Sequence, residues 1–456
     1  MNGNMNPKNI NILYHLVFKE PTKEQVHALQ KIEDFLSYKN SDDFMIVCGS
    51  AGTGKSSIMN AVVKYCEDKH IKVNIAAPTA KAARNIASKT GNLARTLHSL
   101  LFSVSTKPDK ALIQYSLKTD YEQQYSVFII DESSMINSQI VRNSEDELFM
   151  CSISLLNAIV QFAKSGNPEN KVIFVGDRYQ LPPVGEKHCN ALYMEYLKKR
   201  FDWRGSHIEL TIPSRFHTSS YIYTNAEGFR NSMMNDTVMP RFDLPNTGNL
   251  NNTVSSYLKE LNQFGPNKVV SIAATHRQNN LFNHKLRTLR YGKNAPKLMK
   301  GDVINIKRNW NRGAYSLYNG DMALVMDVDY NNQIIVSNLN YIPVQLKVKD
   351  MNNENVIITD YLLMECLDHG TGSLGSMKEN KLYAERYRKN KTYRVSGKIE
   401  DDRYLGALRA SYGYSITCNS AQGGEWDTVY LNTFYIPCPQ WAYTGITRAR
   451  NNLFIY

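Results

Sequence analysis

The stretch Phe44 to Ser57, FMIVCGSAGTGKSS, constrains this chain more than any other. Phe44 to Cys48 is a continuous apolar run that predicts a buried strand. Gly49-Ser50-Ala51-Gly52-Thr53-Gly54-Lys55-Ser56 then fits G-x-x-x-x-G-K-[ST], and Ile58, Met59, Val62, Val63 and Tyr65 follow at helical spacing. Strand, glycine loop and helix in that order turn the pattern into a mechanism. Glycines let backbone N–H groups curl around a phosphate with no Cβ in the way. The helix N-terminus adds partial positive charge. Lys55 is placed to reach the β and γ phosphates, and the Ser56 hydroxyl to sit on Mg²⁺. The loop names a fuel but not the machine that burns it.

The remaining bounds are broad. A chain of 456 residues suits about two to four domains. A net charge of +12 favours a polyanionic partner. No apolar run reaches the ~18 residues of a membrane span, and no charged-then-apolar leader opens the chain. The seven cysteines show no C-x-x-C pair, which points to neither a disulfide framework nor a zinc site and suits a reducing cytoplasm.

Along the chain, polar residues recur at the tips of apolar strands. Pro21-Thr22-Lys23-Glu24-Gln25 reads as a helix start, and the Gln25 amide offers the donor and acceptor that an adenine edge requires. Val73 to Ala77 is a strand ending at Pro78-Thr79. A second strand–loop–helix unit beside the first implies a parallel α/β sheet, with Thr79 at its ligand-binding edge. His98 suits a core histidine or a DNA contact, since no metal-ligand spacing surrounds it. Residues 102–125 break the rhythm and predict a hairpin. Val127 to Ile130 delivers Asp131-Glu132, a carboxylate for Mg²⁺ and one to orient or deprotonate the attacking water. Lys171 to Val175 leads to Gln180, placed to sense the γ-phosphate or position that water. Arg215 stands alone after a short apolar run.

A second α/β block starts at Val269 to Ala274. From about 296 to 403 the texture alternates like β-structure, with turns at Asn319-Gly320, Asn331-Asn332 and Asn352-Asn353, which predicts a small all-β insertion. Within it, Lys378 to Arg394 interleaves Tyr383, Tyr387 and Tyr393 with cations. That pattern fits single-stranded nucleic acid, through phosphate neutralisation and base stacking, as well as it fits a solvated loop. The α/β texture returns at Tyr412 to Thr417 and closes with Ile446-Thr447-Arg448. If this block faces the phosphate loop across a cleft, Arg448 reaches the γ-phosphate, a contact worth ~10³–10⁵ in rate.

In order, the chain carries TKEQ, GSAGTGKSS, APTAKAA, RTLHSLL, IIDESSM, VGDRYQLPPVG, LTIPSR, ITCNSAQGGEWD and YTGITRA. The set resembles the superfamily 1B DNA helicases of the RecD/Dda-like group and spans nearly the whole chain. The resemblance implies an α/β fold of two RecA-like P-loop domains. Residues 1–240 would form the first, with a hairpin insertion at 102–125. Residues 241–296 and 406–456 would form the second, carrying an SH3-like β insertion at 297–405. It implies ATP and Mg²⁺, with Lys55, Asp131, Glu132, Gln180, Arg215 and Arg448 catalytic and Ser56 and Asp131 on the metal. Gln25, Gly49 to Ser57, Gly423 and Glu425 would bind the nucleotide, Glu425 near the ribose. Pro78, Thr79, His98, Phe102 and Thr417 would contact DNA. The implied activity is ATP-dependent 5′→3′ translocation on single-stranded DNA and unwinding of forked DNA in replication, recombination or repair. The implied protein is a monomer, working with single-stranded-DNA-binding or replication proteins.

Two positions depart from the pattern. Asn419-Ser420 stands where the family usually has His-Lys, which removes a phosphate-contacting cation. Ile212-Pro213 replaces an acidic residue ahead of Arg215. Competing readings are a P-loop kinase or GTPase, an RNA helicase of the same superfamily, and an ATP-gated loading factor that does not unwind. The guanine-reading Asn-Lys-x-Asp is absent, and neither kinase nor GTPase explains the second arginine-bearing block.

Overall fold

A computed structural model describes residues 11–16, 20–119, 121–140, 149–213, 220–350 and 354–456. Arg215 lies outside the described residues. The chain divides into two compact units. The first comprises 1–103, 116–141 and 151–233, and the second 104–115, 142–150 and 234–456.

In chain order the strands of the first part are β1 (Phe44–Gly49), β2 (Lys72–Ala77), β3 (Ala94–Thr96), β4 (Phe102–Lys107), β5 (Leu112–Leu117), β6 (Ser126–Ile130), β7 (Phe149–Cys151), β8 (Lys171–Gly176) and β9 (Gly205–Leu210). Six of them make one parallel sheet in the order β3-β2-β6-β8-β1-β9. Every residue of β1, β6 and β8 is buried, which is why these strands read as continuous apolar runs. Met45 and Val47 face a core built with Leu29 and Ile32 of the helix Lys23–Leu36 and Ile58 and Val62 of the helix Lys55–Asp68. Phe44 points the other way and stacks on Trp203. The strand order sets the phosphate loop after β1 next to the tip of β8 and one strand from the tip of β6.

Strands β4 and β5 form the hairpin expected at 102–125, with β7 as a third strand. The hairpin was expected to belong wholly to the first domain. Its residues 104–115 group instead with the second unit, because Ala111 is buried among Leu339, Leu382 and Tyr393.

The second unit holds β10 (Val269–Ala273), β11 (Val303–Ile306), β12 (Trp310–Arg312), β13 (Tyr315–Leu317), β14 (Met322–Val328), β15 (Ile334–Val336), β16 (Leu339–Lys349), β17 (Asn355–Leu363), β18 (Ala410–Tyr412), β19 (Ser415–Thr417), β20 (Trp426–Leu431) and β21 (Ala449–Ile455). A parallel sheet runs β19-β10-β20-β21. An antiparallel sheet runs β15-β16-β14-β11-β18, with β17 added on β16. One core joins the two sheets, with Tyr257, Phe282, Tyr414 and Tyr430 among its aromatic members and Ile304, Val325 and Leu346 among its aliphatic ones. Arg287 and Asp302 pair inside it, and the Tyr414 hydroxyl donates to Asp302 at 2.6 Å.

The stretch 297–405 is not all β, as the alternation suggested. It also contains the helices Ser376–Lys389 and Lys391–Ser396. Two of the three tyrosines interleaved with cations at 378–394 are not exposed for base stacking. Tyr383 and Tyr393 are buried in the local core, with Tyr387 packed against it. No helix among the described residues is long and apolar enough to cross a membrane.

Candidate nucleotide and nucleic-acid site

The phosphate loop is held by backbone geometry. Gly52 and Gly54 have φ of 83° and 91°, the left-handed region that glycine enters without strain. A Cβ on Gly49 would lie 2.7 Å from the Thr53 hydroxyl and 2.9 Å from Leu210. Lys55 opens its helix, and its Nζ donates to the Gly49 and Ser50 carbonyls at 2.6 and 2.9 Å. The lysine charge is thus folded over the loop. The Ser50 hydroxyl is buried and has no partner among the described residues. Glycine cradle, lysine and orphaned hydroxyl together fit a polyphosphate.

Gln25 is buried behind the loop. Its Nε2 donates to the Thr53 carbonyl at 3.1 Å, and its Oε1 accepts from the Thr22 backbone in a capping box. It fixes the loop through Thr53. Adjacent Glu24 was not singled out from the sequence. Its carboxylate accepts from Thr211 N at 2.8 Å, Thr211 Oγ1 at 2.5 Å and Ile212 N at 3.0 Å. The dipeptide therefore ties the phosphate loop to the strand exit that leads toward Arg215.

Asp131 and Glu132 follow β6. Burial, then repulsion from Glu132, lifts the Asp131 carboxyl from its usual 3.8 to about 6, while Lys55 and Lys89 pull it back. A group poised this way favours an added cation. Asp131 with the Ser56 hydroxyl is an all-oxygen donor pair suited to Mg²⁺. Glu132 has φ 51° and ψ 41°, a left-handed conformation that costs a non-glycine residue ~1–3 kcal/mol and clusters at functional sites. Lys89 is a further cation here, its Nζ donating to Ser56 Oγ at 3.2 Å. Its only sequence signal was a lysine in the last turn of the helix Ala80–Thr90.

Gln180 is 5% exposed, and its Oε1 has no partner among the described residues. Its N–H closes a turn on the Asp177 carbonyl at 3.2 Å. Next to it Arg178 reaches across to β9, bonding His207 and donating to Glu209 Oε2 at 3.0 Å. Arg230 holds the other oxygen of Glu209 at 3.1 Å. Burial opposes the Glu209 charge, but the His207 bond and both guanidiniums outweigh it and hold the carboxyl below its usual range. Donor atoms of Cys48, His207 and Glu209 lie within 4.8 Å of one another. Arg178 already bonds two of the three residues, so the cluster is a strut for the Gln180 turn and not a cation site.

Residues expected on DNA fall into two kinds. Thr79, which follows Pro78, and Thr417 both cap helices, accepting from Ala82 N at 3.2 Å and Ser420 N at 3.3 Å. The Thr417 hydroxyl also donates, to Ser420 Oγ at 2.9 Å. His98 is exposed beside the buried Phe102, with ring centroids 5.8 Å apart.

In the second unit, Arg448 is 4% exposed. Its Nε donates to the Thr444 carbonyl at 3.1 Å, Nη1 to the Gly424 carbonyl at 3.2 Å and Nη2 to Thr447 Oγ1 at 3.2 Å. Among the described residues no carboxylate pairs with it. Gly423 sits in the same turn with φ 70°. Glu425 is ion-paired with Arg450 at 3.0 Å.

Comparison with known proteins agrees with this layout. Residues 21–143 match the model of an AAA domain, and residues 412–456 that of a UvrD-like helicase C-terminal domain. The chain is 32% identical over 140 residues to the ATP-dependent RecD2 DNA helicase of Deinococcus radiodurans, covering 31% of this chain and 16% of that protein. It is 22% identical over 351 residues to the ATP-dependent DNA helicase Pif1 of Campylobacter jejuni, covering 67% of this chain and 70% of that one. The chain thus matches only a small part of RecD2. A solved structure of Pif1 helicases at forked double-stranded DNA superposes with a TM-score of 0.51 at 18% identity, covering 95% of this chain and 91% of that one. Bacteroides Pif1 with ADP-AlF3 and single-stranded DNA gives 0.50 at 17% identity, covering 96% and 92%. These likenesses give the fold as that of a helicase with two RecA-like domains, and in sequence the chain is similar to RecD2 and Pif1 DNA helicases.

Proposed function

We propose that this chain is an ATP-dependent DNA helicase that moves 5′→3′ on single-stranded DNA and opens duplex at forks. The observation that carries the reading is the meeting, on one parallel sheet, of the Lys55 loop after β1, Asp131-Glu132 after β6 and Gln180 after β8. Lys55 neutralises the β and γ phosphates. A Mg²⁺ held by Ser56 and Asp131 would offset charge on the same oxygens. Glu132 accepts the proton of the attacking water, and Gln180 uses its unpartnered Oε1 to orient it. Gln25 reads adenine while it braces Thr53. Arg448, buried with no carboxylate partner among the described residues, supplies a cation to the γ-phosphate. DNA is the partner class because the named relatives are DNA helicases and the net charge is +12. Helix N-termini capped by Thr79 and Thr417 hold backbone phosphates. Alternation of grip between nucleotide states gives movement. The protein acts as a monomer in a reducing cytoplasm, beside single-stranded-DNA-binding or replication proteins.

Strand displacement on forks with a 5′ or a 3′ tail, on DNA and on RNA tracks, tests this reading. Unwinding is expected with the 5′ DNA tail. Activity only from the 3′ tail overturns the polarity, and activity only on RNA overturns the substrate. Lys55→Ala and Glu132→Gln are expected to abolish DNA-stimulated hydrolysis while DNA binding persists; wild-type turnover in either sinks the assignment.

A further inference from the structure

We propose that the helical pair at 376–396 is a docking face for the phosphate backbone of double-stranded DNA. The proposal takes its partner class from the functional reading above and its site from the distribution of charge. Both carboxylates of the pair already have partners. Glu379 is buried on Arg409. Glu385 is bonded by Ser337 and by Lys389. The cations turn outward. Lys378, Lys381, Arg388, Lys391 and Arg394 are exposed, and among the described residues none pairs with a carboxylate. Glu385 falls on the same side of the helix, but Ser337 and Lys389 already engage it, which leaves the five cations in excess on this face. At 100° per residue, Lys378, Lys381 and Arg388 fall within an arc of ~80°. That arc lies away from buried Glu379, Leu382 and Tyr383.

The buried tyrosines decide the kind of nucleic acid. Single-strand sites combine a cationic groove with aromatic faces on which bases stack. Here Tyr383 and Tyr393 are in the core and half-buried Tyr387 packs against it, about 100° round the helix from the cationic arc, so the arc itself offers charge and no ring. Charge alone serves a duplex, which presents phosphates outward and keeps its bases paired. The face also carries the hairpin tip within the same unit. Ala111 N donates to Asn380 Oδ1 at 2.9 Å, and the Tyr393 hydroxyl donates to the Pro108 carbonyl at 2.9 Å. Exposed Lys107 and Lys110 of that tip extend the cationic surface.

The test uses the full chain and a short blunt duplex, with affinity followed by fluorescence anisotropy over a salt series. The variant is Lys378→Ala with Lys381→Ala and Arg394→Ala. The control removes equal charge elsewhere, at exposed Lys198, Lys199 and Arg200. The variant is expected to lower the slope of log affinity against log salt by about 2 to 3, since each phosphate contact contributes ~0.9. The control and oligo(dT) affinity are expected to stay at wild-type values. An unchanged duplex slope overturns the proposal. So does an equal loss on oligo(dT), which makes the face a general single-strand grip, or an equal loss on poly-glutamate, which makes it a site for acidic protein. Duplex binding needs no turnover. A wild-type protein without DNA-stimulated ATPase would therefore count against the functional reading and leave this result legible.

Discussion

Arg409 and Arg448 lie equally deep in the second unit, 3% and 4% exposed, yet their charges are met in different ways. Arg409 grips both oxygens of Glu379 and also donates to the Gly372 carbonyl. Arg448 meets two carbonyls and a hydroxyl. Carbonyl dipoles solvate a guanidinium without cancelling its charge; among the described residues Arg409 has a carboxylate bonded to it and Arg448 has none. Desolvating a charge is costly, and a fold that leaves one unneutralised holds it for an anion that arrives later. The first arginine is built for the fold, and under the proposed function the second is the one that meets the nucleotide.

The largest effect should come from Arg448→Met. DNA-stimulated ATP hydrolysis is expected to fall ~10³–10⁵-fold, while the thermal midpoint stays at or above the wild-type value, because a buried unpaired charge is removed. Hydrolysis near the wild-type rate would erase the distinction between the two pockets.

Arg409→Met should do the reverse. It strands Glu379 as a buried carboxylate, a loss of ~3–5 kcal/mol in denaturant unfolding. Pairing it with Glu379→Leu should restore most of that loss. A single mutant as stable as wild type would mean that the pair does not hold this region together.

The same pair predicts a pH dependence. Burial works against the Glu379 charge, but Arg409 outweighs it and holds the carboxyl below its ordinary 4.5. A lowered folded value means stability that is fully present above the unfolded value and lost as pH falls through the folded one. Acid unfolding of Glu379→Gln should therefore be flatter below about pH 4.5 than that of wild type. Superimposable curves would remove Glu379 from the account.

The smallest effect belongs to the surface. Arg450→Ala breaks an ion pair with Glu425 in which the arginine is half exposed, and should cost less than ~1 kcal/mol.

The sequence made the first sheet legible because its strands are buried on both faces and end in polar residues, so β1, β6 and β8 and their tips could be read directly. It hid the helix Ser376–Lys389 because charged residues occupy that helix's buried side. Glu379 is satisfied by Arg409 and Arg386 by Asp402. Apolar periodicity therefore vanished where ion pairs replaced it, and the tyrosines in between looked exposed. Gln25 was legible as a polar side chain at the start of a helix ahead of the phosphate loop. Its bond to Thr53, and the hold of Glu24 on Thr211 and Ile212, join residues far apart in the chain, which no local pattern encodes. Lys89 was hidden for the same reason, since only the fold brings the end of its helix to Ser56.

The direct test of the central claim is the stabilisation of the full chain by Mg²⁺ with a non-hydrolysable ATP analogue, measured as a shift in thermal midpoint for wild type and Arg448→Met. A ligand that uses a cation in the folded state raises the midpoint through that contact. The account predicts a clear shift in wild type and a much smaller one in Arg448→Met, from an unchanged or higher starting midpoint. An equal shift in both proteins would contradict it, because the buried charge of Arg448 would then play no part in holding the nucleotide.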